Sequence, residues 1–137
     1  MAAIEELIRT ESDGSISFGN HQLKEKAKKE DYESSGDIYK VKTYSTMTKL
    51  EKNGMFLYES VPGTSVSSLN ETEDGVSFTV SGSEDAQVTV GLQDDSEYDV
   101  TVNGDKIGRM KTNMGGKLVV SLELSEGEDK EVKITKA

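Results

Sequence analysis

The stretch at residues 98–124, YDVTVNGDKIGRMKTNMGGKLVVSLEL, leaves this chain little freedom in choosing a fold. A two-residue type I′ turn needs positive φ at both central positions, and Asn103-Gly104 reaches that at the least cost. Upstream, Tyr98, Val100 and Val102 alternate with Asp99, Thr101 and Asn103. Downstream come Ile107 and Met110, a second punctuation at Gly115-Gly116, and then Leu118, Val120, Leu122 and Leu124 at every second position. A period of two places one face in a core and the other in water. The stretch therefore reads as three successive strands of an antiparallel sheet packed on one side, with Gly104 and Gly116 at positive φ.

The rest of the chain follows the same grammar. Residues 4–10 suit a first strand or a short helix, Ser12-Asp13-Gly14 a turn, and 15–18 a strand ended by Gly19-Asn20. Residues 22–35 are the most polar part, with Lys24, Lys26, Lys28 and Lys29 among Glu25, Glu30, Asp31 and Glu33. An exposed edge strand fits them, since edge lysines discourage unwanted pairing; a solvated helix or a loop fits as well. Residues 37–50, DIYKVKTYSTMTKL, have the β-propensity of one strand or two, and residues 51–54 close a hairpin onto 55–61. The only proline, Pro62, precedes Gly63 and marks a boundary. Beyond it strands are expected at 65–69, 76–81, 86–92, 97–102, 106–112, 117–124 and 130–135. Seven short strands with frequent turns suggest an immunoglobulin-like or fibronectin-III-like antiparallel sandwich over 62–137, preceded by a β-rich lobe over 1–61.

Composition narrows the chemistry. A chain of 137 residues with a hydrophobic fraction of 33% and no Trp supports one domain with a thin core. The absence of Cys removes disulfides, thiolate nucleophiles and Cys-based metal sites. A net charge of −10 opposes binding to nucleic acid, whose phosphates need a clustered positive face, and to anionic membranes. The start, MAAIEELIRTE, has acids where a secretory signal needs bases, and no apolar run reaches membrane-spanning length. A cytoplasmic location is expected on those grounds.

The stretches YKVKTYSTMTKLEKNGMFLYESVPGT, DGVSFTV and YDVTVNGDKIGRMKTNMGGKLVVSLEL resemble a group of small bacterial proteins called endosialidase, or endosialidase catalytic β chain. The resemblance runs over most of the chain and rests on turn and strand patterns. It implies a sialic-acid hydrolase. As a family, sialidases clamp the substrate carboxylate with three arginines and use a Tyr nucleophile backed by a Glu, because forked guanidinium groups fit a carboxylate best. Only two arginines are present, Arg9 and Arg109, so one chain cannot build that clamp. The adjacent pairs Tyr58-Glu59 and Glu97-Tyr98 point to opposite faces of their strands.

Other constellations are thin. His21 is the only histidine, stands beside Gly19-Asn20 and reads as an exposed turn residue. Carboxylates at Asp94, Asp95, Glu97, Asp99, Glu123 and Glu126 allow glycosidase-type pairs only with a geometry the sequence does not give. The runs Asp94-Asp95-Ser96-Glu97 and Glu126-Gly127-Glu128-Asp129 are oxygen-rich but lack EF-hand spacing. Asn70-Glu71-Thr72 has the letters of a glycosylation sequon. Met47, Met55, Met110 and Met114 read as fillers of core gaps. No catalytic, cofactor-binding or metal residue, and no cofactor, is therefore assigned.

Three functions remain. The first is a non-enzymatic structural or interaction module that self-associates. The second is a carbohydrate-binding or accessory module using Tyr32, Tyr39, Tyr44 and Tyr58 as a platform. The third is the hydrolase. Residues 23–50 carry apolar side chains on both parities, Ile38 and Tyr44 on one and Tyr39, Val41 and Met47 on the other. A strand with one wet face should not do so, and a lobe of about 60 residues buries little surface alone. A two-fold homo-oligomer through residues 1–61 is expected to cover the spare face, and high salt should not dissociate it.

Overall fold

The computed structural model describes residues 3–137 and is all-β, with no helix and two antiparallel sheets. The strands are β1 (Ile8–Thr10), β2 (Ile16–Phe18), β3 (Ala27–Ser34), β4 (Asp37–Thr43), β5 (Thr48–Lys52), β6 (Met55–Val61), β7 (Ser65–Thr72), β8 (Gly75–Ser81), β9 (Ala86–Gly91), β10 (Glu97–Val102), β11 (Asp105–Lys111), β12 (Lys117–Leu122) and β13 (Asp129–Lys136). Sheet A runs β1-β2-β7-β8-β13-β10-β11 and sheet B runs β12-β9-β6-β5-β4-β3. No helix among the described residues is long and apolar enough to cross a membrane.

Local signals decide the turns. Asn103 and Gly104 have φ of 52° and 83°, so the β10–β11 hairpin has positive φ at both central positions. Asn53 and Gly54 (53° and 77°) close β5 onto β6 in the same way. The polar segment contains an edge strand, β3, but only from Ala27 onward. Residues 4–10 form no helix; Leu7 takes φ of 72° and only the last three residues are strand.

Long-range pairing departs from expectation in three places. The three strands at 98–124 do not lie in one sheet: β10 and β11 pair in sheet A, whereas β12 crosses and pairs with β9 in sheet B. Gly116 does have positive φ, 77°, but it turns the chain from one sheet to the other. Next, an immunoglobulin-type domain lettered along β7–β13 would pair β7-β8-β11-β10 and β9-β12-β13. Here β13 enters sheet A between β8 and β10. Finally, strands from either side of Pro62, which follows a cis peptide bond, pair with each other: β2 with β7 and β6 with β9.

One core lies between the sheets. Ile8, Ile16, Phe18, Val66, Val76, Phe78, Val80, Tyr98, Val100, Val132 and Ile134 of sheet A meet Tyr39, Val41, Leu50, Tyr58, Val88, Val90, Leu118, Val120 and Leu122 of sheet B. At its centre the Tyr58 ring stands edge-on to Phe18 (centroids 5.2 Å apart) and to Phe78 (5.6 Å), the offset geometry aromatic quadrupoles favour. Tyr39, Val41 and Thr43 of β4 face this core, while Ile38, Lys40 and Lys42 face outward. Sheet A thus covers one of the two faces of β4, and Ile38 on the other is 46% exposed. Met55, at the start of β6, and Met114, in a turn, are not core fillers; they are 72% and 90% exposed.

Candidate functional site

The two sheets part at the end of the molecule where the β5–β6 and β7–β8 turns and the β9–β10 connection meet, leaving a cleft of about 480 Å³. Its walls are Phe56, Leu57 and Leu92, with Tyr98 below and Gly91 beneath Phe56. A register shift between β5 and β6 at Leu50/Glu51 sets Leu57 as an extra residue, so that Leu57 and Tyr58 are both buried although they are neighbours. Gly91 permits the close approach: a Cβ there would lie 2.5 Å from the Phe56 carbonyl oxygen.

The rim is polar and internally paired. Lys52 of sheet B places Nζ 2.9 Å from Glu71 of sheet A and 3.6 Å from Asp37. The hydrogen bond to Glu71 raises the Lys52 pKa above its ordinary value. Asn53 Nδ2 donates to Asp37 (3.0 Å), and this bond chiefly holds the Asp37 carboxyl below the usual range. On the far side the Gln93 N–H donates to the Tyr98 hydroxyl (3.2 Å), and Lys136 Nζ donates to Gln93 Oε1 (2.6 Å).

The residues singled out from the sequence are scattered. Arg9 lies on β1 and Arg109 on β11, the two outer strands of sheet A; six strand spacings put them about 29 Å apart. Each has its own partner, Arg9 with Glu6 and Glu11 and Arg109 with Asp99. Tyr58 is fully buried and hydrogen-bonded to Thr64 (2.7 Å), and burial pushes its phenol up out of reach of ionisation. Tyr39 is also interior, so the four-tyrosine platform does not form. The three partly exposed aromatic rings each sit under a lysine: Tyr44 under Lys26, Tyr32 under Lys29 and Phe56 under Lys117, the last at 4.7 Å.

His21 corrects the sequence reading. It stands in a turn but is only 7% exposed, and Nδ1 is 2.7 Å from Ser65 Oγ. Ser65 Oγ also accepts the His21 backbone N–H (3.3 Å), and burial lowers the imidazole pKa. The pair has the spacing of a base and a nucleophile, but Ser65 is wholly buried, so no substrate reaches it. The seat is shaped by a hydroxyl network beside it: Thr43 with Thr48 (2.8 Å), Thr48 to the Thr64 carbonyl (2.7 Å), and Thr64 with Ser60 (2.7 Å).

The acids do not assemble into a centre. Asp94, Asp95 and Glu97 lie at the cleft end, where Lys111 takes Asp95 at 3.1 Å; Glu123 and Glu126 follow β12 at the opposite end; Asp99 is held low by the Arg109 guanidinium. Among the described residues no three His, Asp or Glu side chains converge as metal ligands. Asn70 of the sequon is exposed on β7, and the neighbouring Glu71 belongs to the cleft rim. Phe56, Leu57, Leu92 and Gln93 gave no signal in the sequence. Only Lys52, next to the Asn53-Gly54 turn, had a legible position.

The class defined by this geometry is a two-sheet β-sandwich with an end cleft. No family model, no curated protein and no solved structure matches the chain.

Proposed function

We propose that this chain is a non-enzymatic β-sandwich acting as an interaction module, with the end cleft as its binding site. The observation that carries the reading is the state of the cleft's charges. Lys52, the one cation of the lining, is already held by Glu71 and Asp37, above walls of Phe56, Leu57 and Leu92. A reactive site keeps an acid, base or cation aimed at its substrate. A recognition site offers apolar depth with a few polar groups at its edge. A volume of about 480 Å³ suits a few apolar side chains of a partner segment.

The hydrolase implied by the resemblance finds less support, since Arg9 and Arg109 occupy opposite edges and each is already paired. A carbohydrate would stack on an aromatic face, and the partly exposed faces carry Lys26, Lys29 and Lys117. In architecture we infer a sandwich closer to a jelly roll than to an immunoglobulin domain, because its last strand lies between β8 and β10.

The test is selection of phage-displayed peptides on the immobilised chain, with Phe56→Ala as counter-target and a melting curve to show that the variant folds. Enriched peptides should carry an apolar anchor and lose about tenfold or more in affinity for Phe56→Ala. No enrichment, or peptides indifferent to Phe56→Ala, would overturn the cleft as the binding site.

A further inference from the structure

Each sheet has two free edges, and three of the four carry a device against pairing. Strand β1 is three residues long. Strand β3 is rich in lysine and acid and is interrupted by a register shift between Lys29 and Tyr32. Strand β11 is bulged against β10 and carries Gly108 at φ of 144°. Such devices are how proteins keep edges from associating. Strand β12 has none of them. It runs Lys117–Leu122 in unbroken register with β9, without proline, and its one lysine is drawn back over the Phe56 ring. Val119, in its middle, is 46% exposed.

The direction of its free main-chain groups follows from its start. Leu92 N–H donates to the Gly116 carbonyl at 2.7 Å, so even-numbered residues bond toward β9. Lys117 points the other way: its carbonyl accepts Asn113 N–H (3.2 Å) and its N–H donates to Asn113 Oδ1 (3.0 Å). Alternation along an antiparallel ladder turns the N–H and C=O of Val119 and Ser121 outward as well.

We propose that β12 pairs antiparallel with β12 of a second copy, about a two-fold axis at Val120. In that register Val119 of each copy faces Ser121 of the other, so the outward N–H and C=O groups of both satisfy one another. Leu118 faces Leu122, and Lys117, swung off the Phe56 ring, meets Glu123, twice, on the outer surface. Moving the register two residues either way sets Lys117 against Ser121 or Ser125 and loses both charge pairs, so the sequence selects this alignment and a copy of itself as occupant. The same flank holds a seam of about 390 Å³ lined by Val102, Ile107 and Leu122, with Ile107 exposed. Pairing at β12 brings this apolar ground into the interface. Lys117 is shared with the end cleft, since its Nζ lies over the Phe56 ring, but the proposal does not depend on what the cleft binds.

Sedimentation velocity of the full chain from about 1 to 300 μM decides the matter. A dimer of twice 14.9 kDa is expected, weakened in part by high salt, which screens the two Lys117–Glu123 pairs and leaves the main-chain bonds. Val119→Pro removes an outward N–H without touching the β9 ladder, so it should leave a folded monomer. Glu123→Lys should raise the dimer dissociation constant about tenfold, and Lys117→Glu with Glu123→Lys should restore it. A monomer throughout overturns the proposal. So does a dimer indifferent to Val119→Pro, or a charge swap that fails to rescue.

Discussion

Gly63→Ala probes whether the residues before and after Pro62 form one packed unit. At a linker between lobes, alanine would be harmless. In this structure Gly63 is buried, and a Cβ added there would lie 1.9 Å from the Tyr44 carbonyl oxygen. An ordinary contact needs more than 1 Å of additional separation, and the obstacle is backbone. That backbone is fixed on several sides: Tyr44 N–H donates to the Met47 carbonyl (2.9 Å), Ser45 N–H to the Leu23 carbonyl (2.7 Å), and Gly63 N–H to the Ser45 carbonyl (3.0 Å). Overpacking a tight site costs about 1–3 kcal/mol, and each hydrogen bond weakened by the shift adds about 0.5–1.5 kcal/mol. A loss of about 3 kcal/mol follows, which for a domain of this size lowers Tm by roughly 10 °C. Urea titration with thermal melts would measure it. Gly54→Ala is the control, since it has open space around its Cβ and only a positive φ to strain; it should cost about 1 kcal/mol. A Gly63→Ala variant within about 0.5 kcal/mol of wild type, at the additive noise of such measurements, would refute the packing described.

Gly104→Val should cost about 1–3 kcal/mol in denaturant titration, because a β-branched residue is forced to φ of 83° in otherwise open space. Stability should also fall on acidification in two stages. Burial depresses the His21 pKa, so the unfolded chain binds the proton first; stability is full above the unfolded value near 6.5 and declines as pH drops through it. His21→Gln should abolish that upper stage in a series of melts. The lower stage belongs to Glu11, held down chiefly by Ser17, and to Asp99, held down by Arg109; it appears as pH falls through their folded values, below the ordinary carboxylate range, and should persist in His21→Gln.

Strand positions were largely legible because alternation and Asn-Gly turns act over a few residues. The seven strands after Pro62 appear near their expected places, and Asn103-Gly104 needs nothing beyond its own backbone preference. Partnering was not legible. Nothing around Gly115-Gly116 separates a hairpin from a crossing between sheets, and the decision rests on β9, more than twenty residues away. His21 reads as polar and exposed until Ser65, 44 residues later, folds against it. The cleft is hidden for the same reason: Lys52, Glu71, Leu92 and Tyr98 meet only through strand pairing, and the bulge that buries Leu57 beside Tyr58 breaks the alternation from which burial was read.

The central claim, that the chain recognises rather than reacts, is tested most directly by incubating the purified recombinant protein with oligomeric and polymeric sialic acid and measuring released reducing ends. The account predicts no turnover above the buffer blank, since Arg9 and Arg109 stand at opposite edges of sheet A, each held by an acid of its own. Turnover that persists on repurification and disappears in Arg9→Ala or Arg109→Ala would contradict it.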